Sequence, residues 1–90
     1  MSKGVLAVLC GEVNIPAVPS GSSSQAVVTF PTGFFASKPY VVATPGNGRL
    51  IVATDASVYT KDSVRLNAYN WSGGNAGAST ITWIAVGYRQ

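Results

Sequence analysis

The chain has 90 residues, of which 47% are hydrophobic and only 10% are charged, and it carries a formal net charge of +3 with no histidine. This length fits one domain that buries about 60–65% of the surface of its unfolded chain, so its stability is marginal without cross-links or partners. Cys10 is the single cysteine, which excludes an intramolecular disulfide and, without histidine, a zinc site of the usual kinds. The charges are scattered singly, so we expect no nucleic-acid partner.

The N-terminal segment lacks the features of an export signal. The apolar run 4–9 is shorter than the roughly 7–15 residues of a signal-peptide core, and no small-residue cleavage site follows it. Leu9 is too large for lipoprotein cleavage before Cys10. No stretch approaches the roughly 20 apolar residues of a transmembrane helix. We therefore expect no signal peptide and no insertion into a membrane.

The pattern along the chain is one of short strands between turns, and no segment has a helical period that extends far enough to predict a helix. Strands are predicted, in chain order, at Val5–Leu9 continuing to Glu12–Ile15 after a break or bulge at Gly11, Gln25–Phe30, Tyr40–Thr44, Arg49–Tyr59 with a bend near Asp55, Val64–Trp71, and Ser79–Tyr88. About six strands at fairly even spacing predict an all-β antiparallel sandwich or small barrel. Residues 1–24 are either its first strand or a docking arm with a Ser/Gly-rich connection, and residues 25–90 form the core of a single domain.

The closing strand is apolar on both sides. Its alternation places Ile81, Trp83 and Ala85 on one side and Ile84, Val86 and Tyr88 on the other. One face of an antiparallel sheet in a sandwich is normally polar, so a second apolar face requires further cover. We therefore expect a homo-oligomer whose axis is lined by residues such as Val41, Ile51, Ile84 or Val86.

Other side chains are assigned by the same alternation and by their neighbours. Val64, Leu66 and Ala68 alternate with Arg65, Asn67 and Tyr69, which predicts one core face and one polar face. Phe34 and Phe35 lie in a loop and are expected to plug one end of the sandwich. Cys10, between Leu9 and Gly11, is interpreted as a small buried hydrophobic residue.

A group of short motifs resembles a known family. These are Val28-Thr29-Phe30-Pro31, then Phe34-Phe35, then Pro39-Tyr40-Val41-Val42-Ala43-Thr44-Pro45, and finally Trp83-Ile84-Ala85-Val86-Gly87-Tyr88. In order and spacing they resemble the H-type lectin domain, especially the version found at the C-termini of bacteriophage tail and fibre proteins. The resemblance covers roughly residues 25–88. It implies a six-stranded antiparallel sandwich that assembles as a homotrimer, with ligand sites at the rim between subunits.

Two departures from the family narrow this interpretation. Secreted animal H-type lectins commonly join an N-terminal cysteine to one in the penultimate strand, whereas Val64–Trp71 contains no partner for Cys10. Some members also use a histidine in the sugar site, and this chain has none. The missing cysteine partner favours a virion protein that is assembled in the reducing cytoplasm of a host cell over a secreted animal lectin.

The candidate ligand-binding residues are Arg49, Tyr69, Asn70 and Trp71. Aromatic faces stack on sugar rings, and guanidinium and amide groups reach sugar hydroxyls. The resemblance implies a glycan site with an arginine at the start of the long central strand and a tryptophan ending the next one, and Arg49 and Trp71 occupy comparable positions. The alternative is that Trp71 packs on the glycines of the next turn and that Arg49 pairs with Asp55 or with a neighbouring subunit.

No catalytic, metal or cofactor site is expected, because the chain lacks histidine, a nucleophile elbow, a phosphate loop and metal-ligand spacing. Two functions remain. One is a phage virion structural protein, either a short trimeric fibre or tip or a capsid decoration protein, which attaches to a host glycan or reinforces the particle. Because the chain begins at Met1 and is barely longer than the domain, we expect it either to dock on other virion proteins or to act alone. The other is a free-standing carbohydrate-binding lectin.

Overall fold

The computed structural model describes residues 4–90, and these residues form six β-strands. The strands are β1 (Leu6–Ile15), β2 (Ser23–Thr29), β3 (Tyr40–Pro45), β4 (Leu50–Tyr59), β5 (Ser63–Asn70) and β6 (Ser79–Tyr88). The predicted all-β organisation is confirmed, because β-branched and aromatic runs alternate with turns rich in glycine, proline and serine. Residues 4–90 contain no apolar helix long enough to cross a bilayer. Residues 1–3 of the predicted docking arm lie outside the described residues.

The strands form two antiparallel sheets of three strands each. The first sheet has the order β1-β6-β3, and the second sheet has the order β2-β5-β4. β6 is central in the first sheet and pairs with β1 over its whole length, from Leu6 opposite Tyr88 to Ile15 opposite Ser79. The C-terminal strand therefore joins the part of the chain that was predicted as a first strand or docking arm to the rest of the sandwich.

The core lies between the two sheets and contains the inward positions of both. The buried hydrophobic residues are Ile15, Val18, Ala26, Val28, Phe30, Phe35, Leu50, Val64, Leu66, Ala68, Ala76, Ile81 and Ala85. The alternation predicted for β5 and β6 is confirmed: Val64 and Leu66 are fully buried, and so are Ile81 and Ala85. Phe35 is also fully buried, with edge-to-face contacts to Phe30 and Phe34, so the predicted aromatic plug is present.

The predicted break or bulge at Gly11 is wrong, because β1 continues through this residue with an unbroken register against β6. Gly11 lies opposite Trp83, and a Cβ atom at position 11 would come 3.0 Å from Cζ2 of the indole. The missing side chain therefore makes room for the inward-facing Trp83, whose ring also contacts Phe30. A glycine in a strand often marks such a close approach and does not have to end the strand.

The prediction that Cys10 is buried is also wrong, since its side chain is exposed. An unbroken β1 with Ile15 facing the core places the even-numbered residues, including Cys10, on the outer face of the first sheet.

The four residues that were predicted to line an assembly axis do not lie on one surface. Val41 packs against the core, Ile51 is exposed on the second sheet, and only Ile84 and Val86 share the outer face of the first sheet.

Candidate functional site

The strand directions give the sandwich two different ends. Three connections, residues 16–22, 46–49 and 71–78, gather at one end, which we call the loop end. The opposite end holds residues 4–5 and 89–90 together with the connections 30–39 and 60–62, and we call it the terminal end. Hydrogen bonds join the members of each group, for example Val18 N–H to the Ala76 carbonyl at the loop end and Arg89 N–H to the Val5 carbonyl at the terminal end.

Three of the four predicted ligand residues lie at the loop end on exposed positions. Leu50 pairs with Asn70 at the end of the β4–β5 ladder, so Arg49 immediately precedes this pair and Trp71 immediately follows it. The next pair inward is Ile51 with Tyr69. Trp71 is 58% exposed and Tyr69 is 47% exposed. We call Arg49, Ile51, Tyr69 and Trp71 the strand-end surface.

Asn70, the fourth predicted ligand residue, has a structural position instead. It is completely buried, and its Nδ2 donates to the carbonyl oxygens of Val18 and Gly74, each at 2.8 Å. Its Oδ1 accepts from the backbone N–H and the hydroxyl of Ser72, at 3.0 and 2.8 Å. The amide therefore joins two loops of the loop end and is not available to a ligand in this conformation.

Arg49 is held in place by the loop that Asn70 organises. Its Nη1 donates to Ser72 Oγ at 3.0 Å, and its backbone N–H donates to Asn47 Oδ1 at 2.9 Å. The guanidinium also lies against Gly74, where a Cβ atom would be 2.6 Å from Nη1. The remaining guanidinium N–H groups make no hydrogen bond to residues 4–90. A fixed, exposed guanidinium with unused donors can bind hydroxyl or carboxylate oxygens.

The alternative partner of Arg49, Asp55, pairs with a different arginine. Nε and Nη2 of Arg65 donate to Asp55 Oδ2 at 3.0 and 2.9 Å. Hydrogen bonds from the side chain and backbone of Ser57, together with the bonds from Arg65, hold the pKa of the Asp55 carboxyl well below its usual range. The β4–β5 register shifts between Thr54 and Tyr59, so the pairing is irregular where a bend was predicted. Asp55 therefore fixes the irregular part of β4.

A second feature of the loop end is a shallow cavity of about 260 Å³ beside β1 and β6. It is lined by Asn14, Ile15, Ala78, Ser79 and Thr80. It contains none of the predicted ligand residues. Among residues 4–90 no three Cys, Asp or Glu side chains come together as a metal site would require.

Ile51 belongs to the strand-end surface but was not among the predicted ligand residues. It is 56% exposed and lies opposite Tyr69. The signal was present in the alternation of β4, because Leu50 is apolar and faces the core, which places residues 49 and 51 on the other side. An aliphatic side chain beside two aromatic rings extends the apolar part of the surface.

The comparisons with known proteins agree with the fibre interpretation. No curated protein matches the chain. The model of one protein family, described as "Putative tail fiber protein gp53-like, C-terminal", matches residues 11–88, which include the second half of β1 and the whole of β2 to β6. The chain therefore belongs to the family of gp53-like tail fibre C-terminal domains.

Proposed function

We propose that this protein is a virion structural protein, a short homotrimeric tail fibre or fibre tip that attaches the particle to a glycan on the host surface. The observation that carries this proposal is that the two ends of the domain differ. The strand-end surface lies at the loop end, and the chain enters and leaves the sheets at the terminal end. A domain attached to the virion through the terminal end presents Arg49 and Trp71 away from the particle.

The strand-end surface has the chemistry of a sugar site. The exposed rings of Trp71 and Tyr69 offer flat apolar faces for a pyranose ring. Arg49, already oriented by Ser72, supplies charged donors to sugar hydroxyls or to the carboxylate of an acidic sugar. Preorganisation by Ser72 and Gly74 reduces the entropy that ligand binding would cost.

Homotrimer formation and docking on other virion proteins complete the proposed role. The exposed large hydrophobic residues of a chain with so few charges support assembly into an oligomer. The terminal end, away from the strand-end surface, is the proposed contact with the tail or the capsid. The role is one of binding, and it includes no catalytic step and no membrane insertion.

Glycan binding by the parent protein and three variants tests the proposed site. We expect Trp71→Ala and Arg49→Ala each to weaken binding by about 1–3 kcal/mol, or roughly tenfold to a hundredfold, because each removes one contact. The matched control is Arg89→Ala, which removes an exposed arginine that lies over Phe34 at the terminal end and is expected to leave binding unchanged.

Thermal unfolding of the same variants separates binding from packing. Because Trp71 is largely exposed, Trp71→Ala should change the free energy of unfolding by less than about 1 kcal/mol. A parent protein that binds no glycan on an array would contradict the attachment role and favour a capsid decoration protein. Mass spectrometry of purified virions distinguishes both from a free-standing lectin, which would not be found in the particle.

A further inference from the structure

We infer that the outer face of the first sheet is the surface on which three copies of this chain pack, with their strands parallel, around a three-fold axis. This inference rests on the proposed homotrimer and adds which face forms it, how the copies are oriented and which residues meet.

The outer face of the first sheet is apolar over most of its length. It consists of Leu6, Val8 and Cys10 from β1, Ile84, Val86 and Tyr88 from β6, and Tyr40 and Val42 from β3. None of these eight residues is charged, and six of the large side chains are at least 40% exposed. Contiguous exposed apolar surface larger than a few hundred Å² is uncommon on monomeric soluble proteins and marks an interaction site.

The outer face of the second sheet has a different composition. It carries the ion pair between Arg65 and Asp55 together with Gln25 and Asn67, which lie opposite each other. Val27 is exposed there, but its cross-strand neighbour is Arg65. The other exposed apolar residues of this face, Ile51 and Tyr69, lie at the loop end in the strand-end surface, so the apolar surface of the second sheet is less continuous than that of the first.

The change from apolar to polar rows along the first sheet favours copies whose strands run in the same direction. The cross-strand rows Tyr40–Val86–Val8 and Val42–Ile84–Cys10 are apolar, and the next row toward the loop end, Thr44–Thr82–Glu12, is polar. A three-fold axis along the strands keeps each row at one height, so apolar rows meet apolar rows and the polar rows meet at the loop end. An antiparallel face-to-face pair that buried all the apolar rows would instead place the polar row of each copy against the terminal end of the other.

The strand spacing sets how far each sheet lies from the three-fold axis. Edge strands of neighbouring subunits that are about 10 Å apart, as packed sheets are, place each three-stranded face about 8–9 Å from the axis. β6 is the central strand, so Ile84 and Val86 point toward the axis, and the side chains of the two edge strands pack between neighbouring subunits.

The same geometry specifies a contact between neighbours. β1 and β3 are the two edge strands of the first sheet, so β1 of each subunit meets β3 of the next one. Cys10 and Val42 lie in one row, at the same height on opposite edges. Cys10 of one subunit therefore faces the partner subunit's Val42. All three strand-end surfaces also point toward the same end of the assembly.

Chemical cross-linking of Val42→Cys tests this contact directly. Cys10 is the only native cysteine, so the variant has two thiols per chain, and a short bismaleimide should join each subunit to the next. Denaturing gels should then show dimers first and a covalent trimer as the largest product. The parent protein, with Cys10 alone, should give almost no cross-linked product, and so should the matched control Val27→Cys, whose new thiol lies on the second sheet. Cross-linking of Val42→Cys that stops at a dimer would overturn the three-fold arrangement.

Sedimentation of two charge variants separates this inference from the proposed homotrimer. Val42→Glu places a charge in the proposed contact, and we expect it to dissociate the trimer at micromolar concentration. Val27→Glu changes a similarly exposed valine on the second sheet, 54% against 66%, and should sediment as the parent does. A trimer that persists in Val42→Glu and is lost in Val27→Glu would overturn the choice of face while leaving the homotrimer intact. A monomeric parent would overturn both.

Discussion

Asn70 shows how one buried polar residue organises the candidate site. Its amide makes four hydrogen bonds, to Val18, Gly74 and twice to Ser72, and Ser72 in turn accepts from Arg49. A buried amide whose donors and acceptor are all satisfied contributes specificity, because any other arrangement of the loops would leave polar groups unpaired. Asn70 therefore positions Arg49 without contacting the ligand.

Replacing this residue tests its role. Asn70→Ala should lower the free energy of unfolding by about 1–3 kcal/mol, because buried carbonyl groups lose their donors. Glycan affinity should fall in parallel with that of Arg49→Ala. The control is Gln25→Ala at an exposed position on the second sheet, which we expect to stay within about 0.5 kcal/mol of the parent in chemical unfolding. An Asn70→Ala variant as stable as the parent would refute the structural role.

The sequence contains the information that places Asn70, although residue type suggested otherwise. Val64, Leu66 and Ala68 face the core, and the two-residue period extends to position 70. An asparagine between Tyr69 and Trp71 suggests a ligand contact only if this period is ignored. The four hydrogen-bond partners could not be predicted, since they depend on how loops distant in sequence come together.

At the level of the strand, β1 shows why the boundaries of elements are harder to predict than their existence. Glycine has low strand propensity, which suggested a break at Gly11, but the tertiary contact with Trp83 outweighs this local preference. The assignment of Cys10 to the core rested on its residue type and neighbours, whereas the unbroken strand relates Cys10 to the inward-facing Ile15 and places it on the outer face. β6 was predicted correctly in both bounds because its alternation has no interruption.

The contact between Gly11 and Trp83 gives a test at this scale. Gly11→Ala places a methyl group against the indole and should destabilise the protein by about 1–3 kcal/mol, as overpacking does. In Trp83→Leu the same substitution should cost less, because the ring is gone, so a double-mutant cycle should show coupling. Gly48→Ala is the matched control, since a Cβ atom there would have no neighbour within 4 Å. Additive effects in the cycle would contradict this account of Gly11.

For the whole molecule, exposed apolar side chains gather on one outer face of the sandwich: Leu6, Val8, Tyr40, Val42, Ile84 and Tyr88. The expectation of a second source of burial came from β6, because both of its sides are apolar, and from the short length and few charges of the chain. The apolar face itself could not be identified from the sequence, since it depends on the strand order β1-β6-β3, which brings Val8, Ile84 and Val42 from distant parts of the chain onto one surface.

If assembly covers this face, folding and association are coupled and thermal stability depends on concentration. Binding of copies to the native state stabilises it by mass action, so the melting temperature should rise as the protein is concentrated from nanomolar to micromolar.

The reactivity of Cys10 should also depend on protein concentration. Its thiol is exposed in the single chain, so it should react with a maleimide quickly in dilute solution and slowly in concentrated solution. A cysteine at position 27, in Val27→Cys with Cys10→Ser, should react at one rate throughout, because its sheet stays in water. Reductant should leave the melting temperature unchanged, because Cys10 forms no disulfide within the chain. A melting temperature and a Cys10 reactivity that are both independent of concentration would show that the single chain is stable with its apolar face exposed.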